Sequence, residues 1–473
     1  MRIVFFLLSM IFGYHALAQV ESISTSTQRD SVLDYNSFLK LVEAYHPVSL
    51  SANFNMDIAE RNLMIARGGF DPLLYGNYRT KEFGETDYYT ALNAGLEIPT
   101  WMGITVRGGY EDNQGQYLNP ENTVPGNGLI NAGITAQLGS GLLMDSRRAA
   151  LRQAQISIDL TQAERQILLN RLFVEASTVY FEWALAAENL VVTENALSLA
   201  ATRYEATKVS FEFGDLPAID TTEAYTQVLD RLYQLRDAQS QWIKYVNAAS
   251  VYLWTGEQLP LNIAPGVYPN LSGAISFTEE LFAINNNHPE LQKLEFKIDY
   301  LNIDRRLASE YLRPKIELKY NFLSENAFAN SDTELFGTSR FFENNYNFGA
   351  KVSFPLFIRE ARGKLGMTKI KIDQTGLEFD LKQAQLNAKL STLIGYLANL
   401  SDQISFYEQN IALLERMRVG EEQLFENGES SLFLVNARET KLIDAEMKYN
   451  ALLAKERIVR AEIREISGQG FFD

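Results

Sequence analysis

The sequence predicts a mainly α-helical protein that carries a membrane β-barrel, and three observations lead there. The first is Leu142–Phe213, a run of 72 residues without glycine or proline, bracketed by Gly141 and Gly214. The second is a pair of segment groups, set between such helical runs, in which apolar residues alternate with period two. The third is an export leader followed by no apolar stretch long enough to cross a bilayer as a helix. A chain with those properties enters a membrane only as a closed barrel, because lipid offers no partner to an unpaired backbone group.

The leader occupies residues 1–18. Arg2 supplies the positive end, Ile3 to Phe12 the apolar stretch, and Ala16-Leu17-Ala18 a small-x-small cleavage site that leaves Gln19 first. Gln19 to Ser31 is polar and reads as a loose tail. Helical patterning starts at the N-cap candidate Asp34 and runs to His46-Pro47; a second helix continues to Arg67. Strands are then expected over about 73–138. They are Leu73 to Lys81, the alternation Thr90-x-Leu92-x-Ala94-x-Leu96-x-Ile98, the pair Ile104 and Val106, and Ile130 to Leu138.

The 72-residue rod follows, ~100 Å long at 1.5 Å per residue. Leu169, Ala176, Trp183, Leu190, Leu197, Tyr204 and Phe211 form one row at seven-residue spacing. Leu172, Val179, Ala186, Thr193, Ala200 and Thr207 form a second, smaller row three residues on. That is a coiled-coil seam, which needs neighbouring helices. A return helix is expected over 218–255 and a Pro/Gly/Asn-rich linker over 256–273. A helix Phe277–Asn287 then leads to His288-Pro289 and a further helix to Tyr311. Two strands (about 315–355), a second rod (362–427) and a last helix (432–467) complete the chain.

The second half repeats the first. His46-Pro47 and His288-Pro289 lie 242 residues apart, as do Pro72 and Pro314. Leu142 and Leu356, Arg148 and Arg362, and Gly214 and Gly428 lie 214 apart. The offset falls by 28 residues between Pro72 and Leu142, the length of one extra hairpin. Two repeats are therefore expected, 19–255 and 274–473, with four strands in the first and two in the second.

Composition narrows the function. There is no cysteine among 473 residues, which excludes disulfides and thiolate metal sites. A net charge of −16 argues against nucleic acid as a partner. After the leader only His46 and His288 remain, each before a proline, so a turn role outweighs catalysis. No phosphate-cradling loop or HExxH spacing occurs, and neither an enzyme nor a cofactor is expected. The polar strand face carries Arg107, Glu317, Lys319 and Lys351, which suits a hydrated lumen behind an apolar outer face. So few strands cannot close a sizeable barrel alone; several copies must pool them.

At this point the chain resembles the TolC-type outer-membrane efflux proteins. The residues that carry the resemblance are Phe70-Asp71-Pro72 before the first strands and Phe354-Pro355-Leu356-Phe357 after the last. Gly214-Asp215-Leu216-Pro217-Ala218-Ile219-Asp220 and Gly428-Glu429-Ser430-Ser431-Leu432-Phe433 mark the two helix-hairpin turns. The resemblance spans nearly the whole mature chain. It implies long coiled-coil hairpins that form a trimeric periplasmic tunnel continuous with a shared transmembrane barrel. It further implies a passive duct for small molecules or polypeptides, served by a periplasmic adaptor and an inner-membrane pump of the RND or ABC type.

The resemblance places Gly214, Asp215, Leu216 and Pro217, with Gly428, Glu429, Ser430 and Ser431, at an adaptor-docking tip. It also implies acidic residues that narrow the aperture. Asp220 fits, but its counterpart in the second half is Leu434, leaving Asp215, Asp220 and Glu429 as candidates. Two readings of other classes stand beside it, a surface coiled-coil structural or adhesive protein and a self-standing porin. Whether four or six strands per copy enter the barrel stays open.

Overall fold

In the computed structural model, the structure describes residues 31–272, 283–284, 287–325 and 345–471. The leader, most of the tail, nearly all of the predicted helix Phe277–Asn287 and most of the loop between the last two strands lie outside those residues. Sixteen elements are present among the described residues. They are β1 (Ser31–Leu33), α1 (Tyr35–Tyr45), α2 (Pro47–Gly68), β2 (Leu73–Phe83), β3 (Thr86–Pro99), β4 (Ile104–Gln114) and a short 3-10 turn (Pro120–Asn122). Next come β5 (Leu129–Gly139), α3 (Ser146–Glu212), α4 (Ala218–Ser250), β6 (Val267–Pro269) and α5 (Pro289–Glu310). The last are β7 (Lys315–Glu325), β8 (Tyr346–Ser353), α6 (Arg359–Glu426) and α7 (Leu432–Ser467).

Side-chain caps fix where α1, α2, α3 and α5 start. Asp34 accepts from the Ser37 N–H at 3.0 Å. Both His-Pro steps use the imidazole in the same way. His46 Nδ1 accepts from Val48 N at 3.3 Å, and His288 Nδ1 from Glu290 N at 3.1 Å. In each, the proline behind the cap occupies the first helical turn, where no N–H is needed. Asp145 accepts from Arg148 N at 2.8 Å, so α3 begins at Ser146 rather than at the predicted Leu142. Leu142 closes a turn onto the strand instead, through Leu142 N to Gly139 O at 3.2 Å. The return helix α4 stops at Ser250, short of the predicted Thr255. Its end tightens into i→i−3 bonds, Val251 N to Ala248 O and Tyr252 N to Ala249 O.

Each rod has one helix beside it toward the sheet and another toward the turn, and α3 also packs on α5 and α7. α3 packs on α2 toward the sheet and on α4 toward the turn, and α6 packs likewise on α5 and α7. The main core sits midway along α3. There Phe173, Tyr180, Phe181 and Trp183 meet Phe38 and Val42 of α1, Leu253 after α4 and Ala461 of α7. The Tyr180 hydroxyl donates to Leu33 O at 2.8 Å and accepts from Asn270 N at 3.0 Å. This ties the parallel pair β1–β6 to the rod. Burial raises the Tyr180 pKa above its ordinary value, against the Asn270 N–H bond that lowers it, and burial pushes Tyr35 up to about 12.

The seam of α3 changes along the rod. Leu169, Ala176 and Trp183 are buried, Leu190, Leu197 and Tyr204 are half-buried, and Phe211 is exposed. In the smaller row Ala186, Thr193, Ala200 and Thr207 stay buried. The threonine hydroxyls turn back onto their own helix, Thr207 to Arg203 O at 2.9 Å, so small side chains admit a close neighbour.

All six longer strands join one antiparallel sheet in the order β2-β3-β4-β5-β7-β8. β3 and β4 lie inside the sheet, between β2 and β5. Gly84 and Glu85, both at φ near +60°, make the two-residue turn between β2 and β3.

Candidate functional site

The register of the sheet sorts its side chains onto two faces. Glu97 stands opposite Arg107, Thr135 opposite Lys319, Gln137 opposite Glu317, and Glu317 opposite Lys351. Arg107 Nε lies 3.1 Å from Glu97 Oε1. Asn131 donates to Glu111 at 3.0 Å on the same face. The face therefore carries both signs of charge, which these residues disperse across four strands. All four strand residues singled out from the sequence, Arg107, Glu317, Lys319 and Lys351, lie on it.

The opposite face is apolar and uncovered. Leu74 is 80% exposed, Tyr78 65%, Phe348 57% and Val352 67%, and Leu96, Val106 and Ile134 are exposed with them. The contacts of this sheet run strand to strand. Such a sheet is inside out for water: its apolar side is open, while Arg107 and Lys319 on the polar side are half-buried. Contiguous exposed apolar surface of this extent marks contact with a membrane or a partner.

About 100 Å away along each rod, the chain turns back through one hydrogen-bond pattern used twice. At the first tip Gly214 N donates to Phe211 O at 3.0 Å and Asp215 N to Ser210 O at 2.9 Å. At the second, Gly428 N donates to Phe425 O at 3.0 Å and Glu429 N to Leu424 O at 2.8 Å. These are Schellman closures, and Gly214 (φ +84°) and Gly428 (φ +75°) take the left-handed position. A Cβ at either glycine would meet no atom within 4 Å, so only backbone strain argues for glycine within one chain.

Pro217 caps α4, and Ser431 caps α7, neither with a side-chain bond. Asp220 lies half-buried in the first turn of α4, where the helix dipole favours its charge. Asp215 and Glu429 are exposed, Leu216 is half-buried, and Phe213, Ile219 and Phe433 stand out beside them. The second tip has an extra tie. Ser430 Oγ donates to Glu421 Oε1 at 2.6 Å, and Arg438 Nε approaches the other oxygen at 3.3 Å. Those bonds hold the Glu421 carboxyl below the usual carboxylate range.

Just behind the tips, one group of charges joins all four long helices. Glu439 of α7 is buried and accepts from Arg203 Nη1 of α3. Arg203 also lies 3.7 Å from Glu422 of α6. Arg231 of α4, equally buried, donates to Thr440 at 2.9 Å and has its Nε 4.0 Å from Glu439 Oε1. Burial lowers the Arg231 pKa, and the neighbouring Glu439 charge opposes that shift. Sequence reasoning missed this group. Its signal was present: Glu439 interrupts the apolar spacing Leu432, Val435, Leu442 of α7.

Among the described residues no cluster of His, Asp or Glu could hold a metal ion, and no helix is long and apolar enough to cross a membrane. No family model matches the chain, and no curated protein matches its sequence. Solved structures do match, and they share one architecture: the chain has the fold of TolC-type outer-membrane efflux channels. It aligns with CusC, studied for folding and transmembrane channel formation, at TM-score 0.64 and 16% identity over 92% of each chain. The outer membrane protein VceC of Vibrio cholerae aligns at 0.64 and 13% identity, over 92% of this chain and 96% of VceC. The MtrE outer membrane channel of Neisseria gonorrhoeae, in its open state, aligns at 0.66 and 13% identity, over 92% and 89%. At such identities the likeness is one of fold, and the neighbours are channel proteins rather than enzymes.

Proposed function

We propose that three copies of this chain form a passive exit duct: a barrel in the outer membrane continued by a periplasmic tunnel of helices. An inner-membrane pump of the RND or ABC type, linked through a periplasmic adaptor, supplies the cargo and the energy. The observation that carries this reading is the inside-out sheet. Lipid covers the apolar face with Leu74, Tyr78, Phe348 and Val352, and the face with Arg107, Glu317, Lys319 and Lys351 lines water. A surface adhesin has no use for that sheet, and a self-standing porin has none for rods of 67 and 68 residues.

Self-association is supported by apolar stripes that have no partner within one chain. On α6, Ile370, Leu377 and Leu381, then Phe406, Leu413, Met417 and Leu424, are exposed at coiled-coil spacing. On α4, Tyr225, Leu229 and Leu232 are exposed in the same way. Gene duplication accounts for the two rods with matching flanks, the paired His-Pro caps and the twin glycine turns.

The adaptor docks at the tip formed by Gly214, Asp215, Leu216, Pro217, Gly428, Glu429, Ser430 and Ser431. The exposed Phe213 and Phe433 supply apolar contact there. Asp215, Asp220 and Glu429 set the charge of the aperture. The test is co-purification of adaptor and pump with the tagged full-length chain from cells, compared with Gly214→Trp and Gly428→Trp variants. Loss of the adaptor from variants that still form heat-resistant assemblies is expected. Unchanged adaptor recovery overturns the docking assignment.

A further inference from the structure

The six-stranded sheet ends in two free edges, β2 and β8. All eleven residues of β2 are exposed, as are seven of the eight in β8. Inside a membrane each unpaired N–H and C=O costs several kcal/mol, so these edges need partners. Six is an even number. With every pairing antiparallel, β2 and β8 run in opposite directions, and β8 of one copy meets β2 of the next as another antiparallel pair. The alternation also survives the junction, since odd-numbered residues face the polar side on both strands.

The register can be deduced from the sheet itself. Followed across the ladder, Leu73 leads through Glu97, Arg107, Gly133 and Asn321 to Asn347. The helix-side end of β8 is Ser353, six residues beyond Asn347. Setting Ser353 opposite Leu73 of the next copy brings those ends level. It staggers each copy by six residues over six strands, a tilt of about 35°, within the range of membrane barrels. All eight residues of β8 then pair, with Leu73 to Thr80. Phe348 faces Tyr78, Val352 faces Leu74 and Lys351 faces Tyr75, with no like charges opposed. A shift of two residues leaves an end unpaired or breaks the Phe348–Tyr78 match.

We infer that β8 pairs with β2 of the next copy in this register, so that three copies close an eighteen-stranded barrel. The inference rests on the proposed trimeric duct and specifies its membrane half. Eighteen tilted strands at ~4.8 Å spacing give a barrel roughly 35 Å across. Four helices per copy give a ring of twelve, which at 9–10 Å between axes is about 37 Å across. The two tubes join without a step. Twelve strands at the same tilt would give only about 23 Å.

The cysteine-free chain makes the test clean. Full-length protein with Asn77→Cys and Gly349→Cys is purified as assemblies and treated with a short bis-maleimide. Position 349 has room, since an added Cβ meets Lys319 Cβ at 3.9 Å and nothing nearer. Linked dimers and trimers are expected on denaturing gels, and likewise for Arg79→Cys with Asn347→Cys. Asn77→Cys with Phe348→Cys puts the thiols on opposite faces and should link about tenfold less. Bilayer conductance of the same assemblies separates the two claims. Assemblies that conduct while neither same-face pair links, or that link best off register, overturn the barrel inference and leave the duct standing. Assemblies that link in register but never conduct uphold the strand pairing and overturn the duct.

Discussion

The two rods have nearly the same length, 67 residues in α3 and 68 in α6, yet they meet different surroundings. α3 buries eighteen residues and packs against α1, α2, α4, α5, α7 and β6. α6 buries eight and, among the described residues, packs mainly against α5 and α7. The glycines follow the difference. α3 contains none; α6 carries Gly363, Gly366, Gly376, Gly395 and Gly420, and a Cβ at any of them would meet nothing within 4 Å. A rod with more neighbours uses more of its side chains for packing. A rod with an open face tolerates gaps there, and in the proposed assembly that face meets another copy.

The comparison breaks most sharply at Trp183, fully buried midway along α3. Trp183→Ala is expected to destabilise the chain by roughly 3–5 kcal/mol, read as a large drop in the denaturation midpoint. Leu377, 69% exposed on α6, has no such role within one chain. Leu377→Asn should shift the stability of the single chain by less than about 0.5 kcal/mol. It should nevertheless convert heat-resistant assemblies to monomers on size exclusion. Equal losses of chain stability at both positions would remove the distinction between the rods.

Glycine substitutions sharpen the contrast with effects of opposite sign. Gly214→Val places a branched side chain at φ +84° and should cost about 1–2 kcal/mol. Gly376→Ala lies within a helix in open space and should stabilise the single chain by about 0.5–1 kcal/mol. Thermal melts of the two variants check both signs. A smaller effect concerns acid. Burial, the largest cause, lowers the pKa of His46 and His288. Each imidazole caps a helix through an unprotonated Nδ1. The unfolded chain takes up protons more readily, so this contribution is complete above the ordinary histidine value and declines as pH falls below about 6.5. His288→Asn keeps a capping acceptor and should flatten part of that decline in melts taken across the range.

Much of this architecture was legible because long elements repeat their period many times. The α3 seam and the alternation in β5 and β7 each carry enough turns of pattern to exceed chance. Short elements carry none: β1 and β6 have three residues each and exist through Tyr180, which bonds to both segments. The joining of all six strands into one sheet depended on the β5–β7 register, between strands far apart in sequence, which periodicity does not encode. At the tips, the glycine turns were readable as local chemistry. The Arg203–Glu439–Arg231 group was not, because its members come from three helices and only Glu439 disturbs its own apolar spacing.

In the proposed assembly the open face of α6 and the free edges of the sheet meet other copies of the chain to enclose a continuous water path. Planar-bilayer recording from purified heat-resistant assemblies tests it most directly. Discrete, ohmic conductance steps, lost in the monomers of Leu377→Asn, are the expected result. Intact assemblies that insert into the bilayer and pass no current would contradict the account.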